Sequence, residues 1–203
     1  MKLLAINGSP REKSNTGRCL EIILEEASKL GVETELVTLS DKQIRGCRGC
    51  YGCVKALRCV VEDDFGAVFD KMKSADGIVL GSPVYHSSIT SDLKSVLDRA
   101  GFSGRWAVNE MKEEKQDYAW KGNIFSGKVV APVTVARRTG HNFAFAQVLL
   151  WATTNDCIVP GNTYWNMSVA GKGGAVNADD DAEGTGIMQA LAERMVRLMK
   201  AMQ

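Results

Sequence analysis

The stretch Lys2-Leu3-Leu4-Ala5-Ile6-Asn7-Gly8-Ser9-Pro10-Arg11-Glu12-Lys13-Ser14-Asn15-Thr16 joins a short apolar run to a polar loop. The run over residues 2–7 has the length and composition of a buried strand. After the loop, residues 17–30 carry apolar side chains at a helical period, at Leu20, Ile23, Leu24 and Ala27. The stretch therefore predicts a strand, a polar turn and a helix in that order.

The same alternation continues along the chain. Further strands are predicted at residues 33–38, 77–80, 128–135 and 157–159, and helices at 65–73, about 91–100, 143–154 and about 185–202. Such alternation implies a parallel sheet with helices on both faces. Five strands favour the α/β, flavodoxin-like doubly wound order 2-1-3-4-5, in a single domain over residues 1–203. In that order a ligand lies at the carboxyl ends of strands one and three.

The charge balance of the 203-residue chain argues against two classes of partner. The chain has 25 basic and 24 acidic residues, a net charge of +1, and 45% hydrophobic residues. Nucleic-acid and membrane-surface proteins usually carry a basic excess or a basic face. No apolar run approaches the roughly 20 residues of a membrane span, and no export signal is visible. We therefore expect a cytoplasmic protein that binds neither nucleic acid nor membrane.

The first polar loop has the composition of a phosphate site. A phosphomonoester at a strand-to-helix turn needs backbone N–H groups, side-chain donors and the positive end of a helix dipole. The loop lacks both the Gly-x-Gly-x-x-Gly and the Gly-Lys-Ser/Thr patterns, so it predicts neither a dinucleotide site nor a Walker loop. An ordinary capped turn is the alternative, since Ser, Asn and Thr cap helices well. The candidate phosphate ligands are Ser9, Arg11, Ser14, Asn15 and Thr16.

A second loop, Gly81-Ser82-Pro83-Val84-Tyr85-His86-Ser87-Ser88, leaves the third predicted strand. Pro83, Val84 and Tyr85 offer backbone groups and an apolar wall of the kind a flavin ring needs. Tyr85 has an equally good interpretation as a packing residue, because most aromatic side chains lie in cores or interfaces. His86 is expected near the ring rather than as a base, and His141 is expected in a solvated turn.

Four of the six cysteines, Cys47, Cys50, Cys53 and Cys59, lie in the segment 46–60. A disulfide framework is unexpected in a reducing compartment, so the spacing indicates a metal or redox centre. It is close to the bacterial run that binds a 4Fe–4S cluster, although no proline follows the last cysteine. Structural zinc and free redox-active thiols are the alternatives. Cys19 and Cys157 are expected to be small buried hydrophobes.

Two stretches interrupt the alternation. Residues 103–127 form a polar excursion, whose length predicts an insertion with a functional or subunit-contact role. Residues 162–184 are rich in Gly, Asn and Asp and predict a long surface loop.

These motifs resemble a known family. Gly8-Ser9-Pro10-Arg11 with Ser14-Asn15-Thr16, Gly81-Ser82-Pro83-Val84-Tyr85 and Leu93-Lys94-x-x-Leu97-Asp98-Arg99 resemble the NADPH-dependent FMN reductase superfamily. The cysteine spacing resembles that of its iron–sulfur flavoproteins. The resemblance implies FMN with its phosphate at the first loop and a homodimer or homotetramer, in which each cluster lies near a neighbouring subunit's flavin. It places the flavin ring against Pro83, Val84, Tyr85, His86 and Ser87, and against Ala136, Arg137 and Gly140.

The resemblance also implies the function. Electrons would pass from a ferredoxin-like donor through a 4Fe–4S cluster to FMN and on to a small acceptor, with no side chain acting as acid or base. One alternative is an NAD(P)H-dependent FMN or quinone reductase whose cysteines hold no cluster. A second is a non-enzymatic carrier with a structural zinc site.

Overall fold

The computed structural model describes residues 1–110 and 122–202. Its sheet has five parallel strands in the order 2-1-3-4-5, which confirms the predicted topology. The strands are β1 (Lys2–Asn7), β2 (Glu33–Thr38), β3 (Gly77–Pro83), β4 (Val129–Ala136) and β5 (Met167–Val169).

The described residues contain six α-helices: α1 (Asn15–Lys29), α2 (Gly52–Ala56), α3 (Phe65–Ser74), α4 (Ser91–Ala107), α5 (His141–Thr154) and α6 (Ala182–Ala201). The short α2 packs against α4, and the other five cover the two faces of the sheet. Successive side chains of β1 point to opposite faces, as the pleat requires. Leu4 and Ile6 pack under α3, α4 and α5, whereas Leu3 and Ala5 pack under α1 and α6. In the described part of the chain, no helix is both long and apolar enough to cross a membrane.

The loops after β1 and β3 are joined at the carboxyl edge of the sheet. The Gly8 N–H donates to the Gly81 carbonyl oxygen at 2.8 Å, and the Thr90 hydroxyl donates to the Gly8 carbonyl at 2.7 Å. Thr90 also caps α4 by accepting from the Leu93 N–H at 3.3 Å. The fold thus fixes the two predicted cofactor loops against each other.

The fifth strand lies ten residues later than predicted. Residues 157–159 contribute only an isolated bridge between Ile158 and Val129. Pro160 has no N–H with which to continue the ladder, and the chain leaves the sheet there. Pairing resumes at Met167, opposite Thr134. The predicted surface loop over residues 162–184 therefore contains a strand of the sheet.

The predicted excursion at residues 103–127 begins inside a helix, because α4 continues to Ala107 instead of ending near residue 100. A short 3-10 helix covers Val108–Glu110. Residues 111–121 of the excursion lie outside the described part of the chain. Where description resumes, the Ile124 N–H donates to the Gly104 carbonyl at 3.0 Å. This bond ties the end of the excursion back to α4.

Candidate FMN cleft and cysteine pocket

A cleft opens at the carboxyl edge of the sheet, between the loops that follow β1 and β3. It collects ten of the thirteen predicted flavin-site residues; His86, Ser87 and Gly140 do not line it. The cleft is lined by Ser9, Arg11, Ser14, Asn15, Thr16, Pro83, Val84, Tyr85, Val135, Ala136, Arg137, Ala170, Gly171, Gly173 and Gly174.

The turn from β1 to α1 is arranged as an anion site. Ser14 is the N-cap of α1 and accepts from the Gly17 N–H at 3.0 Å. The Ser9 hydroxyl accepts from the Arg11 N–H at 3.2 Å, so its own proton is free to be donated elsewhere. The first turn of α1 has no acidic residue. The positive end of the helix dipole therefore faces the cleft without a competing carboxylate.

The Asn15 side chain bonds to the chain after β5, which was not predicted from the sequence. Its side-chain amide donates to the Val176 carbonyl at 2.6 Å, and its oxygen accepts from the Ala178 N–H at 3.2 Å. These bonds hold the chain after β5 against the start of α1. Asn15 thus positions one wall of the cleft.

The loop after β3 makes a tight turn beside the cleft. Tyr85 and Ser88 exchange two backbone hydrogen bonds of 2.9 Å. His86 and Ser87 occupy the turn with φ of 49° and 62°, a left-handed conformation that non-glycine residues rarely adopt. Tyr85 is 45% exposed, so its ring is not a core packing residue. The turn therefore presents Tyr85 to the cleft and directs His86 and Ser87 away from its lining.

The wall contributed by residues 170–174 was missed from the sequence. Gly171, Gly173 and Gly174 all have positive φ, a conformation that favours glycine. Gly174 lies against Arg11, since a Cβ built on it would be 3.7 Å from the guanidinium. A cluster of glycines after the last strand was the available signal.

His141 is buried, which corrects the prediction of a solvated turn. It is the first residue of α5 and only 4% exposed. Its Nδ1 lies 3.0 Å from the Thr134 hydroxyl, and its Nε2 has no hydrogen-bond partner within the described residues. Burial lowers the pKa of His141 below its ordinary value of 6.5.

This burial predicts a loss of stability in acid. Below pH 6.5 the unfolded chain binds a proton at His141 that the folded protein does not bind, so acid favours unfolding. We expect the free energy of unfolding to fall by up to about 1.4 kcal/mol per pH unit until the folded pKa is reached. Urea unfolding at pH 7.5 and 5.5 should show a shallower pH dependence in His141→Asn than in wild type. His86→Asn, at an exposed position, is the control variant. If the stability of His141→Asn depends on pH as steeply as that of wild type, the assignment is contradicted.

A separate pocket brings the four clustered cysteines together. Cys47, Cys50, Cys53 and Cys59 all line it, with Arg99, Phe102 and Ser103 of α4 forming the opposite wall. Cys53 is buried in α2, Cys59 is half-buried, and the other two are exposed. Within the described ranges, no three His, Cys, Asp or Glu side chains converge as ligands of a single metal ion.

Two polar side chains of α4 face this cysteine pocket. Arg99 Nη2 donates to Cys59 Sγ at 3.3 Å. Burial raises the pKa of the Cys53 thiol, and a hydrogen bond with the Ser103 hydroxyl offsets part of that rise. Cys19 lies in the core, and the half-buried Cys157 packs against it. Burial raises the pKa of each thiol to about 12. The two isolated cysteines are therefore held as thiols.

The sequence and the fold are both similar to those of known flavoproteins. Residues 1–172 match the NADPH-dependent FMN reductase family. An iron–sulfur flavoprotein of Archaeoglobus fulgidus is 31% identical over 209 residues, covering 99% of this chain and 96% of that protein.

Two solved structures share the fold. RosB with a bound 8-demethyl-8-formylriboflavin-5'-phosphate intermediate has a TM-score of 0.74 at 20% identity, covering 100% of this chain and 80% of RosB. FerB, an NAD(P)H:acceptor flavoenzyme of Paracoccus denitrificans, has a TM-score of 0.65 at 16% identity, covering 98% of this chain and 97% of FerB. The chain belongs to the NADPH-dependent FMN reductase family, among its iron–sulfur flavoproteins, and is an FMN-dependent oxidoreductase.

Proposed function

We propose that the protein transfers electrons from a ferredoxin-like donor, through a 4Fe–4S cluster and FMN, to a small-molecule acceptor. The observation that carries this proposal is the pocket lined by all four clustered cysteines. A plain flavin reductase needs only the cleft. A second centre built from four thiols gives the same chain a route for single electrons.

The cleft has the groups that FMN requires. Ser9, Ser14 and Thr16 would hold the phosphate with the backbone at the start of α1, and Arg11 would add a positive charge. The ring would lie against Pro83, Val84 and Tyr85 and against the end of β4, at Ala136 and Arg137. Flavin supplies the redox chemistry, since it accepts one or two electrons. The chain binds and orients it, and no side chain needs to transfer a proton.

The cysteine pocket has the donor set of a 4Fe–4S site. Cys47, Cys50, Cys53 and Cys59 would be the ligands, and thiolates are the usual ligands of such clusters. Gly49 adopts a φ of +61° between the first two ligands. Tyr51 and Leu57 also have positive φ, at 56° and 58°. Three positive-φ residues within nine positions would turn the chain around a bulky group, and strained backbone of this kind often marks functional sites.

The partners belong to the same proposal. We expect a ferredoxin-like donor and a homodimer or homotetramer in the cytoplasm. A subunit contact is supported by exposed apolar side chains on and near α5, since large exposed patches of this kind mark interaction surfaces. These side chains are Phe143, Leu150, Tyr164 and Trp165.

A second candidate function is hydride transfer from NAD(P)H to FMN. Arg137 lines the cleft and is exposed, and arginine is well suited to a cofactor phosphate. Rapid NAD(P)H oxidation by protein without a cluster would favour this candidate. Reduction of the flavin only by a ferredoxin-like donor would favour the first.

Purification under anaerobic conditions, followed by assays of iron, sulfide, zinc and FMN, tests the proposal. We expect flavin absorption bands with a broad brown absorbance, and about four irons per chain. Flavin without iron would leave the family assignment intact and remove the cluster. Stoichiometric zinc without iron would replace the cluster with a structural site.

Arg11→Ala is expected to weaken FMN binding about tenfold, since it removes a charged group from the phosphate end of the cleft. Titration of the apoprotein by flavin fluorescence measures this loss. Riboflavin lacks the phosphate, so its affinity should change little in the same variant.

Lys13 supplies the matched control for Arg11. It is an exposed cation of the same loop that does not line the cleft, so Lys13→Ala should bind FMN as wild type does. Equal losses for FMN and riboflavin in Arg11→Ala would place Arg11 away from the phosphate.

A further inference from the structure

Arg99 is a buried cation that reaches the cysteine pocket from α4. Its side chain is 1% exposed, although arginine is almost never fully buried unless it is paired. The carboxylate of Asp63, 6% exposed, accepts from Arg99 Nη1 at 2.6 Å. The guanidinium carbon also lies 4.1 Å from the centre of the Phe65 ring. The side chain is therefore held in one orientation.

Its remaining donors clamp the cysteine segment from both sides. Nη1 donates to the Arg45 carbonyl at 3.0 Å, before the first cysteine. Nη2 donates to the Val61 carbonyl at 3.1 Å and to Cys59 Sγ at 3.3 Å, at the far end. Asp63 completes the clamp by accepting from the Arg45 N–H at 3.0 Å. One guanidinium thus fixes the two ends of the segment relative to each other.

The orientation of the ion pair matters for any charge in the pocket. Asp63 offsets the charge of Arg99 by accepting from Nη1, yet the guanidinium itself donates to the Cys59 sulfur through Nη2.

Ser103 adds a second donor on the same face of the helix. It lies four residues after Arg99, which places the two side chains one turn apart. Both line the cysteine pocket, with Arg99 at Cys59 and Ser103 at Cys53. The wall of α4 therefore presents a cation and a hydroxyl to two of the four sulfurs.

We propose that Arg99 and Ser103 are positioning residues that raise the reduction potential of the cluster bound by the four cysteines. Reduction adds negative charge to a cluster, and hydrogen bonds to its sulfurs and nearby positive charge stabilise that added charge. The guanidinium cannot lose its proton, so its effect persists across the pH range of the protein. This inference rests on the proposed function, because it requires a cluster in the pocket.

A potentiometric titration of anaerobically purified protein tests it, with the iron–sulfur absorbance and the flavin bands followed together. We expect Arg99→Gln, which removes the charge and the fork of donors, to lower the cluster midpoint by about 59 mV, a tenfold shift in a one-electron equilibrium. Ser103→Ala should lower it by less, since a hydroxyl carries no charge. The flavin midpoint serves as an internal reference that should move little.

Lys94→Gln is the matched control, because it removes a cation of α4 that pairs with Asp98 at the surface. An unchanged cluster midpoint in iron-loaded Arg99→Gln and Ser103→Ala would overturn this inference alone. If Arg99→Gln fails to hold iron, Ser103→Ala decides by the same measurement. Wild-type protein that binds no iron would instead overturn the proposed function.

Discussion

Gly8→Ala should weaken FMN binding at least tenfold and destabilise the protein by about 1–3 kcal/mol. A Cβ on residue 8 would lie 2.8 Å from the Leu93 Cβ and 2.9 Å from the Gly81 carbonyl oxygen. Neither atom is the tip of a flexible side chain, since Leu93 belongs to α4 and Gly81 to β3. The clash can be relieved only by moving the two loops apart.

That movement would break the junction on which the cleft depends. The hydrogen bond from the Gly8 N–H to the Gly81 carbonyl joins the two loops, and the proposed phosphate residues follow β1 whereas Pro83, Val84 and Tyr85 follow β3. Titration with FMN measures the loss of affinity, and urea unfolding of the apoprotein measures the loss of stability. The position is sensitive because of contact, not because of φ, so even the smallest side chain should be harmful.

Gly66→Ala provides the control for Gly8→Ala. Gly66 is an exposed residue of α3, and a Cβ there would meet nothing within 4 Å. Alanine should stabilise the helix by about 0.5–1 kcal/mol and leave FMN affinity unchanged. Wild-type FMN affinity in Gly8→Ala would show that the junction does not position the cleft.

The predictable parts of the cleft are those determined by residues that lie near one another in the sequence. The donors between Ser9 and Thr16 follow from the composition of one turn, and the position of that turn follows from the alternation of strands and helices. The hydrophobic period also located four of the five strands, and the alternation of those strands with helices led to the order 2-1-3-4-5. Each of these inferences uses residues close together in the sequence.

The parts that were missed depend on distant partners. The wall at residues 170–174 was not predicted, because Pro160 interrupts the edge strand and pairing resumes only at Met167. The burial of His141 depends on its contact with Thr134 in β4. Arg99 was noticed as part of a motif, but its contact with Cys59 spans 40 positions of the chain. No local pattern could have supplied these contacts.

Cys50→Ser should reduce bound iron from about four atoms per chain to nearly none. A 4Fe–4S cluster needs its thiolate ligands, and a serine hydroxyl is a poor replacement because it stays protonated at neutral pH. Cys50 suits this test, because it is exposed. Substitution at an exposed site usually changes stability by less than about 0.5 kcal/mol. FMN content should therefore remain at its wild-type value.

Cys157→Ser separates the loss of a ligand from the loss of any thiol. Cys157 lies outside the cysteine pocket, with its sulfur 3.7 Å from the Asn155 carbonyl. We expect this variant to keep its iron, its brown absorbance and its FMN. Wild-type iron in Cys50→Ser would remove Cys50 from the ligand set, and iron lost from both variants would mean that general damage had been measured. Iron lost from Cys50→Ser alone, with FMN retained in both, is the result that the two-site arrangement requires, because the cleft and the cysteine pocket share no lining residue.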